Sequence, residues 1–139
     1  MLLGFKRQFA PFVENGSKTH TIRARGKRRR FRVGDVCDCY VDSRQSTMRL
    51  LGRFPCVRVQ DVRIEQLRVK APGANFTIML RVFVDGAELS PDEANEFFRR
   101  DGFRRPGIYP PMAQARDFWS EPLAKGAFEG DLIHWEFKQ

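Results

Sequence analysis

The sequence predicts a small α+β domain, a mixed β-barrel flanked by short helices, on three observations. Alternating apolar and polar residues recur in short runs along the first two thirds of the chain and again at its end, which is the pattern of half-buried strands. A strong helix-start signal stands alone late in the chain at Ser90. The 139 residues are 42% hydrophobic and include thirteen Phe, so one compact domain with a real core is expected without help from disulfides. No stretch approaches the roughly 20 apolar residues of a membrane-spanning helix, and the opening Met-Leu-Leu-Gly-Phe-Lys lacks the features of a signal peptide. A soluble, cytoplasmic protein with no membrane partner is the expectation. Cys37, Cys39 and Cys56 are an odd number without zinc spacing, so they read as reduced packing thiols.

Taken in order, Lys6 to Gly16 carries Phe9, Phe12 and Val13 at helical spacing and ends in Asn-Gly, a short amphipathic helix with a glycine stop. Pro11 fits only in its first turn, where the missing N–H is not needed. Lys18 to Arg23 favours a strand. Val33-Gly34-Asp35 turns into a strand over 36–41, which sets Val36, Asp38 and Tyr40 on one side. Residues 50 to 69 read as two or more strands, with Val57, Val59, Val62 and Ile64 inside and a bulge or bend near Asp61. Phe76 to Val84 is a further strand ending at Asp85-Gly86. Ser90-Pro91-Asp92-Glu93 is a capping box with proline at the first helical position, and the helix it starts stops at Gly102. A second helix spans 112–119, and Leu132 to Phe137 is a closing strand.

Charge is distributed unevenly. Residues 1 to 60 hold 14 basic and 4 acidic side chains, while the remaining residues hold 11 and 13, so the formal charge of +8 resides in the first half. Seven cations fall between Arg23 and Arg32, too dense for a packed element, and an exposed loop is expected. Such a local positive field attracts phosphate-bearing ligands. Arg25, Lys27, Arg28, Arg29, Arg30 and Arg32 read as nucleic-acid backbone contacts or as a solvated loop; Arg23 reads equally as a ligand contact or as an ion-pair partner of Asp35 or Glu136.

Phe9, Phe12 and Val13 before Gly16-Ser17-Lys18-Thr19-His20-Thr21-Ile22-Arg23, followed by Val33-Gly34-Asp35, resemble the opening of the ASCH domain family, a PUA-like β-barrel group. Asp101-Gly102-Phe103 after an amphipathic helix resembles that family's acidic-Gly-Phe corner, and the run from Leu132 to Phe137 its final strand. The resemblance implies a barrel that binds RNA or a modified nucleoside in a cleft between barrel and helices. Some small bacterial members are amidohydrolases that remove the acetyl group from N(4)-acetylcytidine, and ribonuclease activity has been proposed for others. Their Lys and Thr fall on Lys18 and Thr21; their Glu falls on Asp101, one methylene shorter. The chain is also longer than those members, around the middle strands and after Asp101.

On that basis Thr21 is the candidate nucleophile, Lys18 its activator and Asp101 the proton donor to the leaving amine. Lys18 and Thr21 are three apart, so a shared site requires Lys18 to lie in the turn before the strand rather than within it. Each residue also has a plainer reading: Lys18 as a solvated or phosphate-contacting cation, Thr21 as a β-former, and Asp101 as a helix-end residue. His20 and His134 read as structural, and no His, Cys and carboxylate set has metal-ligand spacing, so neither metal nor other cofactor is expected. Tyr109, beside Pro110-Pro111, is the best-exposed candidate for stacking on a base.

Overall fold

The computed structural model describes residues 1–70, 72–73, 75–107 and 109–138. Seven strands and three short helices follow in the order β1 (Leu2–Phe5), α1 (Ala10–Glu14), β2 (His20–Ala24), β3 (Val36–Val41), β4 (Arg49–Lys70), β5 (Phe76–Val84), β6 (Ala87–Glu88), α2 (Pro91–Arg100), α3 (Pro111–Trp119) and β7 (Phe128–Trp135). The fold is mixed α/β, mostly strands with a few short helices. Among the described residues no helix is long and apolar enough to cross a membrane.

β4 organises the sheet. Where two or more strands were expected over 50–69, one unbroken strand of 22 residues runs through and serves different partners along its length. Its first part pairs antiparallel with β3, its middle with β7, and its last part with β5; Val62, Arg63 and Ile64 are flanked by β5 and β7 at once. The register irregularity falls between Cys56 and Arg58, opposite β7, not at Asp61. Val57 is the residue displaced there and is 46% exposed, and Val59 is only partly buried, whereas Val62 and Ile64 are core as expected. The alternating pattern does not specify which residue an irregularity will extrude, because that depends on the pairing strand.

The sheet does not close into a barrel. β1 pairs only with β3, in parallel, β2 only with β7 and β6 only with β5, so these three strands are the edges of the open sheet. β1 itself, four residues long without alternation, had no sequence signal. The edges β1 and β2 are bridged by a side chain, the Arg23 guanidinium, whose Nη2 donates to the Gly4 carbonyl at 2.8 Å. Arg23 pairs with neither Asp35 nor Glu136.

Local signals produced the helices largely as read. The α2 capping box is complete, with Glu93 N–H donating to Ser90 Oγ at 3.2 Å and Ser90 N–H to Glu93 Oε1 at 2.8 Å. Pro11 sits in the first turn of α1. The last strand starts earlier than expected, at Phe128, and ends at Trp135. Asp85 and Gly86, both at positive φ, join β5 to β6, as a tight hairpin turn demands. Cys37, Cys39 and Cys56 are buried free thiols; burial pushes Cys37 and Cys39 up to about 12.

The helices cover the sheet through an aromatic cluster. Phe9 meets Phe103 and Phe118 edge-to-face at 5.4 and 5.7 Å, and Phe98 meets Phe103 at 5.9 Å, so α1, α2, α3 and the corner after α2 share one packing unit. Gly102 makes that corner at φ +106, where a Cβ would lie 2.6 Å from the Phe9 ring. Gly102→Ala combines backbone strain with overpacking and should lower the unfolding free energy by about 2–3 kcal/mol, read as a reduced denaturation midpoint at unchanged m.

Candidate functional site

β2 begins only at His20, so Lys18 lies in the turn before it, as a shared site with Thr21 requires. Its backbone is tied down by Lys18 N–H donating to the Phe12 carbonyl at 2.9 Å. From that turn the side chain runs inward between the Phe5 and Phe9 rings, with Nζ 5.7 and 5.2 Å from their centroids. It ends on the corner after α2. Nζ donates to Asp101 Oδ1 and to the Asp101 backbone carbonyl, both at 2.6 Å. Asp101 caps the C-terminus of α2, where the helix dipole disfavours a carboxylate, and the lysine offsets that charge.

Lys18, His20, Thr21 and Asp101 are all buried. Burial pulls the Lys18 ammonium below its usual range and pushes the Asp101 carboxyl above its own; the attraction between them opposes both shifts. Both groups are thereby moved toward the neutral pair. Thr21 is connected to them through Arg23, whose Nε lies 3.3 Å from Thr21 Oγ1 and whose charge acts on both Lys18 and Asp101. The Thr21 hydroxyl makes no hydrogen bond to Lys18; its side-chain partner is Arg23.

His20, read from the sequence as structural, is the fourth member of this cluster. Its ring packs on Phe97 and meets His134 edge-on, and its Nε2 is 3.5 Å from Asp101 Oδ1 but has no hydrogen-bond partner. Burial, and then the Lys18 charge, hold it well below the usual histidine range. The signal for it in the sequence was only its place beside Thr21. Among the described residues no group of three or more His, Cys, Asp or Glu is arranged to hold a metal ion.

The basic stretch is exposed from Arg25 to Arg30, and its members divide into two groups. Arg25 and Arg30 turn back onto the sheet and grip Asp131, buried on β7, and Asp61 opposite it on β4. Arg29 forks onto Asp35 at 2.8 and 2.9 Å and holds that carboxyl well below the ordinary range. These three cations clamp the loop to the fold. Lys27, Arg28 and Arg32 make no ion pair among the described residues. Tyr109 is 66% exposed, well separated in the chain from the basic stretch.

The fold is thus that of a mixed, strand-rich α/β domain, and the candidate site in it is a buried lysine–aspartate pair. Compared with known proteins, the chain matches no family model, no curated protein and no solved structure.

Two outcomes follow from this geometry. Lys18→Met or Asp101→Leu alone strands a buried charge and should cost about 3–5 kcal/mol, whereas the double variant should recover much of that loss in a double-mutant cycle of urea unfolding. His20 in the folded chain refuses a proton that the unfolded chain accepts. Its contribution to stability is therefore complete above about pH 6.5 and is lost as pH falls below it. The urea midpoint of the native protein should drop more between pH 7.5 and 5.0 than that of His20→Gln.

Proposed function

We propose that the chain is an ASCH-type, PUA-like domain that binds RNA or a modified nucleoside. The observation that carries this reading is the contact between Lys18 and Asp101, 83 residues apart in sequence, with Thr21 buried and linked to the pair through Arg23. Those are the positions on which the resemblance sets the family's site. A mixed, strand-rich sheet with short helices, whose β1 and β2 are bridged by Arg23 although the sheet stays open, is compatible with it. Lys27, Arg28 and Arg32 supply cations left over for phosphates.

A second reading, removal of the acetyl group from N(4)-acetylcytidine, is favoured by the direction of the two shifts. Neutral Lys18 is a base and protonated Asp101 an acid, and burial moves each toward that form. Thr21 Oγ would attack the acetyl carbon while Lys18 Nζ takes its proton; the C–N bond breaks as Asp101 protonates the departing amino group of cytidine. Water then releases acetate from Thr21 and restores the hydroxyl. This requires the substrate to part Lys18 from Asp101, since the two now satisfy each other.

Incubating the purified protein with N(4)-acetylcytidine and resolving the products by chromatography separates the readings. Turnover lost in Thr21→Ala supports the hydrolase. No turnover, with RNA retained and released by salt, supports the non-catalytic binding module. Neither turnover nor RNA retention removes both.

A further inference from the structure

An open cleft of about 640 Å³ lies where β1 ends, walled by Gly4 and Phe5, by the residues that follow them, by Arg23 and Arg28, and by the loop after β3. Its size is in the range of small-ligand sites and exceeds what a lone inorganic anion needs. Five cations line it, Lys6, Arg7, Arg23, Arg28 and Arg44, against one carboxylate, Asp42. That carboxylate is already used: Arg7 forks onto it at 2.9–3.2 Å and the Thr47 hydroxyl donates to it at 2.9 Å. None of Lys6, Arg23, Arg28 and Arg44 has a carboxylate partner among the described residues; the Lys6 ammonium lies 5.0 Å over the Phe118 ring and Arg23 donates to the Gly4 carbonyl, which leaves Arg28 and Arg44 as the uncommitted cations of the cleft.

Converging like charges repel one another, and a concave protein wall intensifies their field. A bound anion would relieve that repulsion. The loop that delivers Arg44 is held out of ordinary backbone conformations, with Asp42 at φ 53 and Arg44 at φ 67, two of the three non-glycine residues at positive φ among those described. Ser43 between them stands over Gly4 so closely that a Cβ on Gly4 would lie 2.5 Å from its hydroxyl oxygen. The glycine on β1 lets a hydroxyl donor join the cations. Guanidinium forks and a hydroxyl match the several oxygens of a phosphate ester. Arg23 ties the cleft to the buried cluster, since the same guanidinium that lines the cleft is hydrogen-bonded to Thr21.

We propose that this cleft is a phosphate-binding subsite contacted by Arg28, Arg44 and Ser43, so that the ligand is a nucleotide phosphate ester, free or within RNA, and not an unphosphorylated nucleoside. The proposal rests on the nucleic-acid reading above and names the class of ligand within it. Neither Ser43 nor Arg44 carries a sequence signal for this role.

The test is calorimetric titration of the full chain with cytidine, cytidine monophosphate, inorganic phosphate and a six-nucleotide single-stranded RNA. The monophosphate should bind at least tenfold tighter than cytidine. Two cationic phosphate contacts should weaken RNA binding about sevenfold between 50 and 200 mM salt. Arg44→Gln and Arg28→Gln should each weaken monophosphate and RNA at least fivefold, with cytidine affinity and the melting midpoint unchanged; two separate variants guard against one that misfolds. Equal binding of cytidine and its monophosphate overturns the subsite and leaves the nucleoside reading standing. RNA binding that neither variant weakens also overturns it and assigns the phosphates to the Lys27 and Arg32 face. Inorganic phosphate bound as tightly as the monophosphate, weakened by both variants and without RNA binding, supports an anion site and overturns the nucleic-acid reading. Binding of none of the four overturns both. Better binding of RNA than of the monophosphate identifies the polymer as the source of the phosphate.

Discussion

A lysine ammonium taken out of water must find a partner inside the fold, and the position of that partner constrains much else. Lys18 can reach Asp101 only if the turn before β2 and the corner after α2 meet, which fixes the helical layer on the sheet. The Phe5 and Phe9 rings that line the lysine's path belong to β1 and the entrance to α1, so the same contact sets the sheet's first strand and first helix against α2. Gly102 belongs to the same constraint: its missing side chain admits Phe9 to the corner, and a Cβ there would also touch the Lys18 stem at 3.4 Å. Buried pairs of this kind add little net stability, because desolvation costs about as much as the attraction returns. Their effect is on specificity, since an alternative packing would leave one charge buried alone.

Electrostatics elsewhere in the molecule follows the same logic with solvent as a competitor. The cationic stretch after β2 is not uniformly available: Arg25, Arg29 and Arg30 are held by carboxylates of β7, β4 and the turn before β3. Asp131 is buried and needs the cations as much as they need it. Within that stretch Lys27 and Arg32 on the loop, and Arg28 at the cleft beside β1, are left without a carboxylate among the described residues. Arg23 joins cleft, sheet edges and cluster in one side chain, which explains why a partly buried arginine is tolerated without a carboxylate of its own.

Elements with a strong local code were legible from sequence. The capping box at Ser90, the proline in the first turn of α1, the alternation through β3 and the Asp85-Gly86 turn each specify their geometry within a few residues, and each formed as read. Strand alternation set only a condition, that Lys18 lie before the strand if it shares a site with Thr21, and β2 does begin at His20. β1 was not legible: four residues paired in parallel with a distant strand carry no local pattern. Nor was the continuity of β4, since a strand that exchanges partners midway reads like two strands.

Composition and spacing by themselves determined that the chain forms one strand-rich α+β unit with its cations concentrated early, because helix starts, turns and alternation are local properties of the backbone. Tertiary structure alone decided that the sheet stays open, that His20 joins Lys18 and Asp101, and which arginines are consumed by carboxylates. Those outcomes depend on which side chains distant in sequence end up within a few ångströms of one another, and charge-pairing and burial act at that range irrespective of chain order.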